Sequence, residues 1–593
     1  MLLPSLALAA FSVGAAAKSH HSGSSSSSYH YDYVIVGGGT SGLVVANRLS
    51  ELHDVTVAVI EAGDSALNNF NVSNVMGYST AFGTQVDWAY RTENQTYAGG
   101  LQQTIRAGKA LGGTSTINGM SYTRAEDVQI DIWEVVGNKG WNWTNLLPYY
   151  KKSEGFQVPT QDQIAHGANY NASYHGLDGP LKVGWPTSMT NSSVFYALKQ
   201  TFENLGVDYN PDSAGGKMVG FTDHPDTLDR AKNVREDAAR AYYWPYEARS
   251  NLKIISNTRA NRVVWANSTR GGEAVAVGVE VTNEYGTETI YADREVVLSA
   301  GALRSPALLE LSGVGNPAVL GQHGIPVRVN LTTVGENLQD QTNNGLSWAG
   351  TDTLTGLAAF SALPSVNQLY GDNAADLAAS VKSQLASYAQ TVAQASKGAL
   401  READLLDAFT LQYDLIFKSQ VPFTEIVFAP SSQSFAVEYW PLLPFSRGSV
   451  HIRSANASDL PAINPNYFMF AQDAEAQVTV AKYIRKALAT APLSGLVDKE
   501  LSPGLGALPA NASSSTWDSW IKANYRTNYH PVGTAIMLPR EKGGVVSPEL
   551  KVYGTKNLRV VDASVLPFQL CGHLTSTLYA VAERASDLIK ESH

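Results

Sequence analysis

The chain has 593 residues, more than one ordinary hydrophobic core organises, so at least two domains are expected. Apolar residues make up 44% and charged residues 16%, which excludes an intrinsically disordered chain. With 43 Lys and Arg against 53 Asp and Glu, the net charge of -10 leaves no basic footprint for a nucleic acid.

The first seventeen residues, MLLPSLALAAFSVGAAA, form a short apolar run that ends in small residues, with Ala15 and Ala17 spaced as in an A-x-A cleavage site. The run is too short to span a bilayer and lacks a Lys or Arg before it; residues 1–17 read as a secretory signal peptide. Residues 18–30 hold the Ser22–Ser28 tract and read as a flexible lead-in. Asn-x-Ser/Thr sites at Asn71, Asn94, Asn142, Asn171, Asn191, Asn267, Asn330, Asn456 and Asn511 suit a secreted, N-glycosylated protein. No later segment has the length and apolarity of a membrane helix, so no membrane partner is expected. The single cysteine, Cys571, excludes an intrachain disulfide and any cysteine-built zinc or iron–sulfur site; packing is its expected role, and no metal is expected.

Order is expected from about Tyr31. YDYVIVG reads as a buried strand, SGLVVANRLSE from Ser41 as a helix and VTVAVIEAG from Val55 as a second buried strand, a βαβ unit that implies a parallel sheet. From about Val128 to Tyr242 the chain is rich in Trp, Tyr, Asn, Pro and Gly and carries few periodic runs. NLKIIS from Asn251 is a strand, TRANRVVWA and AVAVGVEVTNE alternate like a hairpin, and REVVLSAGA from Arg294 is again a buried strand meeting glycine. Helical patterns fill about Ala374 to Phe417. FTEIVFAP and SFAVEYWPLL read as strands of a second sheet, NLRVVDAS from Asn557 as a last buried strand, and HLTSTLYAVAERASDLIK as an amphipathic helix. Nucleotide-type pieces thus lie at the start, middle and end, and interleaved domains are expected: residues 31–125, 245–345 and 540–593 in one, 126–244 and 346–539 in the other.

Gly37-Gly38-Gly39-Thr40-Ser41-Gly42 matches G-x-G-x-x-G through Gly37, Gly39 and Gly42, after a strand and at the start of a helix. The first glycine allows the turn, the second a close approach to a pyrophosphate, the third close packing of helix on strand, and the helix N-terminus faces the phosphate charge. Glu61 ends the next strand, where a carboxylate accepts from both ribose hydroxyls. These residues do not choose between NAD and FAD. Three further loops bear on that choice: GKALGGTSTINGMSYTRA from Gly108, AGALRSPALLELSGVG from Ala300 and VGENLQDQ from Val334, glycine- and hydroxyl-rich enough to line a flavin and its phosphates.

With these loops the chain resembles the glucose-methanol-choline oxidoreductases, a family of FAD enzymes, from about Tyr31 to Lys590. NYHPVGTAIMLPR, GGVVSPELKVYG, RVVDASVLPFQLCGHLTSTLYAVAERASDLIK, RAGKALGGTSTINGM and VREDAARAYYWPY are most similar to the family's fungal FAD-dependent glucose dehydrogenases, with glucose oxidase more distant. The fold implied is mixed α/β (α+β): a Rossmann-like FAD-binding domain interleaved with a substrate domain built on a six-stranded antiparallel sheet with helices. For the cofactor, the resemblance implies Thr40 and Ser41 at the pyrophosphate and Glu61 at the adenosine ribose. It places Thr114, Asn118, Gly119 and Ser121 near pyrophosphate and isoalloxazine, and Val263 at the adenine through its backbone. Asp562 and Ala563 fall near phosphate and ribityl, and Thr575 at the isoalloxazine, where the N-terminus of its helix favours negative charge.

Oxidising an alcohol removes a proton from oxygen and a hydride from carbon. A flavin takes the hydride, and a base, for which His is the natural choice, must take the proton. Composition selects none of the 12 histidines. The resemblance selects His530, in Asn528-Tyr529-His530-Pro531, as the catalytic base, and His573 as a second base or hydrogen-bonding partner. It puts Arg526, Asn528, Tyr78 and Glu438 around the substrate, with Glu425 a competitor for the acidic role. The implied reaction is oxidation of the C1 hydroxyl of D-glucose to the lactone, with electrons passed to a quinone or artificial acceptor. The alternatives are a family oxidase that makes hydrogen peroxide, a hydroxynitrile lyase that keeps fold and FAD without net redox chemistry, and a non-catalytic FAD binder, against which the paired histidines argue.

Overall fold

The computed structural model describes residues 29–351, 356, 360–431 and 434–592. The expected signal peptide and the lead-in up to residue 28 lie outside these residues. The first strand, Tyr29–Val36, starts two residues earlier than the apolar run suggests, because Tyr29 and His30 already pair with Ile290 and Tyr291. Its second half is buried throughout: Tyr33, Val34, Ile35 and Val36 are at most 3% exposed. Each fully buried branched side chain of this kind contributes about 1.5–3 kcal/mol.

One sheet carries the nucleotide-type pieces. Its strands run Leu252–Ile255, Val57–Ile60, Tyr29–Val36 and Gly286–Leu298 in parallel, with Leu558–Val560 parallel on the far side of the last. Gly286–Leu298 is one long strand. Its first half closes an antiparallel meander with Ala276–Asn283 and Arg259–Trp265, and its second half enters the parallel sheet. The run from Arg294 is therefore the buried end of a hairpin strand rather than a separate element. The helices Thr40–Leu49 and Thr575–Lys590 pack together, tied where Arg48 forks onto the buried Glu583 carboxylate at 2.8 Å.

The second sheet is antiparallel, in the order Val497–Ser502, Thr342–Gly350, Phe435–Pro441, Thr424–Pro430, Phe360–Leu363 and Gly220–Asp223. A two-residue strand, Arg526–Thr527, pairs with the start of Thr342–Gly350 and adds a seventh member to the six expected. Thr342–Gly350 spans the division placed between 345 and 346. Successive residues of a strand point to opposite faces. Ile426, Phe428, Val437 and Tyr439 therefore enter a hydrophobic core with Phe202 and Phe221, while Val427, Ala429, Ala436, Glu438 and Trp440 on the other face line a cavity between the two sheets. Among the described residues no helix is long and apolar enough to cross a membrane.

Candidate active site

The cavity, about 490 Å³, runs from the glycine turn after the first strand to the antiparallel sheet. Gly37 adopts φ +106°, in the left-handed region. A Cβ on Gly42 would sit 2.0 Å from the Gly37 carbonyl oxygen, so the helix comes this close to the strand only with glycine there. Gly42 itself lies behind the cavity wall, while Gly37, Gly39, Thr40 and Ser41 line it. The helix Thr40–Leu49 has no side-chain cap and no acidic residue in its first turn. The amides of Thr40, Ser41 and Gly42 precede its first intrahelical bond, Leu43 N to Gly39 O at 3.1 Å. That leaves donors and the positive end of the helix dipole for an anion. Glu61 follows the second strand; its carboxylate accepts from Gly38 N at 2.9 Å and Gly63 N at 2.7 Å, and burial pushes its pKa up to about 7.

Thr114, Asn118, Gly119 and Ser121 line the middle of the cavity. The fully buried Arg235 donates to Asn118 Oδ1 at 2.6 Å, which turns the Asn118 amide nitrogen onto Thr575 Oγ at 3.2 Å. Thr575 opens the C-terminal helix, whose N-terminus also lacks a side-chain cap and an acidic first turn. Asp562 and Ala563 line the wall, and the Asp562 carboxylate is engaged inside the protein: it accepts from Gly301 N, from Ser305 Oγ and from Ser564. Val263 stands apart from the other residues expected at the cofactor. Its N–H donates to Ser312 Oγ at 2.8 Å and it lies off the wall, which Thr258, Arg259 and Ala260 form instead. The strand leaves the cavity at Ala260, three residues before the position that the resemblance put at the adenine.

His530 and His573 meet at the other end, with ring centroids 5.5 Å apart and planes at 87°. The loop of Asp340 and Gln341 seats His530. Asp340 Oδ1 accepts from His530 N at 2.9 Å, and its other oxygen accepts from the hydroxyls of Thr527 and Tyr467. Gln341 Nε2 donates to the carbonyls of Leu442 and Leu570, which turns Gln341 Oε1 toward His530 Nδ1 at 2.8 Å. An amide oxygen only accepts, so this network assigns the proton to Nδ1 and leaves Nε2 as a free lone pair. Asn528 lines the cavity, yet its amide is engaged: the nitrogen donates to Gln341 Oε1 at 3.1 Å and the oxygen accepts from Asn343 at 2.8 Å. It therefore helps fix the Gln341 amide that meets His530.

The two rings have opposite proton preferences. Burial and the charge of His573 push His530 down to about 3. Burial also opposes a charge on His573, but Glu425, whose Oε1 lies 3.2 Å from His573 Nε2, outweighs it and raises the pKa. Glu425 is 0% exposed and off the cavity wall, so it does not compete with Glu438 for a substrate hydroxyl. Glu438 and Arg526 face each other across the strand between them and form an ion pair at 2.5 Å. The Arg526 guanidinium lies over the Tyr529 ring, and Phe82 meets both Tyr78 and Tyr529 edge-on. Tyr78, 42% exposed, marks the mouth. Sequence reasoning missed Asp340 and Gln341 as the seat of His530, although it singled out their loop, and it missed Asp226 and Trp440 on the wall; their roles follow from chain segments that meet only in the fold.

Anion-ready helix ends, a buried carboxylate after the second strand and a histidine pair fit FAD along this cavity. Two family models, both described as GMC oxidoreductase, match residues 31–343 and 444–582. The glucose oxidase-like protein fsoC of Humicola fuscoatra is 44% identical over 557 residues, 93% of this chain and 94% of that protein. A glucose oxidase of Aspergillus carbonarius is 36% identical over 562 residues, 93% and 91% of the two chains. Among solved structures, an FAD-dependent oxidoreductase from Chaetomium thermophilum superposes with a TM-score of 0.85 at 28% identity, covering 95% of this chain and 99% of that one. A fungal aryl-alcohol oxidase gives 0.82 at 27%, with the same coverage.

Proposed function

The chain belongs to the GMC oxidoreductase family, FAD-dependent enzymes acting on CH–OH donors, and from that premise we propose that it is a secreted glucose dehydrogenase that oxidises the C1 hydroxyl of β-D-glucose to D-glucono-1,5-lactone. The observation that carries the chemistry is the histidine pair at the end of the cavity. His530, neutral and with Nε2 unengaged, takes the hydroxyl proton. His573, held charged by Glu425, donates to the same oxygen and stabilises negative charge as the proton leaves. FAD, when bound, supplies the hydride acceptor. The Arg526–Glu438 pair and Tyr78 offer donors and acceptors to the sugar's hydroxyls, and Val427, Ala429, Ala436 and Trp440 supply the apolar wall.

Glucose as substrate is supported by relatives named glucose oxidase and glucose oxidase-like. The dehydrogenase reading rests on the C-terminal sequence resemblance, with a quinone-type acceptor. The same relatives favour a second reading, an oxidase that makes hydrogen peroxide. Secretion is supported by the N-terminal apolar run and by the Asn-x-Ser/Thr asparagines, seven of which are exposed and two half-buried. The deciding experiment adds D-glucose to the holoenzyme without oxygen and follows the flavin absorbance. Bleaching that a quinone reverses at once and air only slowly supports the dehydrogenase; fast reversal by air with peroxide formed makes it an oxidase. Absence of bleaching sinks glucose as the substrate.

A further inference from the structure

Glu425 is a buried carboxylate whose only ion pair among the described residues is with His573. Its Oε1 accepts twice, from His573 Nε2 at 3.2 Å and from Ser361 Oγ at 3.0 Å, while Oε2 is buried with no hydrogen-bond partner among the described residues. A carboxylate this poorly solvated stays ionised only if what contacts it compensates the charge. Ser361 in turn lies 3.2 Å from Nε2 of His224, itself 2% exposed. The three groups sit on or just beyond adjoining strands: Ser361 is in register with Thr222 on one side and Val427 on the other, Glu425 is two residues before Val427, and His224 two after Thr222. None of the three lines the cavity.

A hydroxyl has one proton, and Ser361 gives it to Glu425. The 3.2 Å contact with His224 then has Nε2–H as donor and Ser361 Oγ as acceptor, and the longer 3.4 Å approach of Nδ1 to the Pro225 carbonyl is left without a proton in the neutral ring. The bonds run in one sense, from His224 to Ser361 to Glu425, and each polarises the next. We propose that His224 and Ser361 are positioning residues of the oxidation, holding Glu425 as the carboxylate that keeps His573 charged and aimed at the reacting oxygen. Two shifts agree with this direction: burial pushes His224 down to about 4, and Glu425 stays below the usual carboxylate range despite burial, through His573 first, with the Ser361 hydrogen bond adding to it. The other ionisable groups around the pair are accounted for. Asp226 faces His573 from the strand side and favours its charge when ionised, although burial raises the Asp226 pKa to about 7; His530 faces it from the Arg526 segment; Cys571, with Glu126 beyond it, approaches Glu425 and stays neutral because burial raises its pKa.

The inference rests on the reading of His573 as a participant in alcohol oxidation, and the test separates the two. The holoenzyme is labelled with [13Cε1]histidine, and the His573 signal is assigned with His573→Asn. In the wild type that signal is expected to titrate above the ordinary histidine value of about 6.5. In Ser361→Ala and in His224→Phe it moves toward the neutral form, as the proton passes to Glu425. In the same variants kcat falls about tenfold, its acid limb moves up by about one pH unit, and KM stays within about twofold. Ser361→Thr, which keeps the hydroxyl, restores both. A His573 signal unchanged in both variants overturns the proposal, as does a changed signal with unchanged kcat, or a loss that Ser361→Thr shares. If either variant fails to retain FAD, the other carries the same two readouts. If no sugar bleaches even the wild-type flavin, the proposed function fails, and the histidine signal alone decides whether His224 and Ser361 control His573.

Discussion

His530 keeps its imidazole neutral because it is buried beside a charged neighbour, and the neutral form is the one that accepts a proton. Its folded pKa of about 3 means that this group loses no base function on acidification until that range. His530→Ala is expected to keep its flavin spectrum while kcat drops by about 10²–10⁴; a loss below tenfold would assign proton removal to another group. The residue types were legible in the sequence, since only a near-neutral base suits the reaction and the Asn-Tyr-His-Pro segment resembles the family's. The proton position was not. It depends on Gln341 and on the carbonyls of Leu442 and Leu570, residues far apart in the chain. For the same reason Glu425 and Glu438 look equivalent in sequence, both acidic on alternating strands, although one is buried under His573 and the other faces the mouth.

The glycine turn and its helix show how an element carries function through its packing. Gly42 approaches the Gly37 carbonyl so closely that any side chain forces helix and strand apart. Gly42→Ala is expected to destabilise the protein by about 1–3 kcal/mol, the usual cost of overpacking, and to lower FAD retention, because the amides of Thr40 and Ser41 move with the helix. A thermal unfolding midpoint and a flavin-to-protein absorbance ratio both equal to wild type would contradict this. This element was readable in advance because strand, turn and helix are contiguous and each residue's requirement is local. Val263, expected at the adenine from the resemblance alone, lies off the wall because the strand turns away from the cavity three residues earlier, at Ala260.

Across the whole molecule, several buried ionisable groups set a direction for stability against pH. Burial raises Glu126 to about 7 and Glu236 to about 8, so between their ordinary value and these the folded chain holds more protons than the unfolded one, and stability falls as pH rises. His451, clamped between Glu310 and Glu336, is raised to about 10; its contribution is complete below about 6.5 and is lost as pH rises toward 10. His530 and His224 have depressed values and act oppositely, losing stability as pH falls below 6.5. The slopes oppose each other on the acid side, and above 6.5 the slopes of His530 and His224 vanish while those of the raised groups remain. The unfolding midpoint of the holoenzyme is therefore expected to fall steadily from pH 6.5 to 8.5, each titrating group contributing at most about 1.4 kcal/mol per pH unit; a rising or flat midpoint over that window would contradict the assignment.

By itself the sequence determined the elements and the cofactor turn, because a buried parallel strand, an amphipathic helix and a glycine turn each state their requirement within a few consecutive residues. It also determined that two sheets form from interleaved pieces, since the apolar strand runs recur at the start, middle and end of the chain. Only the tertiary structure decided which histidine has its pKa lowered and which raised, that Asn528 is engaged with the Gln341 amide beside His530, and that Glu425 meets His573 off the cavity wall while Glu438 lines it. Those outcomes depend on distance, burial and hydrogen-bond direction among residues hundreds of positions apart, and such quantities come into existence only when the chain closes on itself.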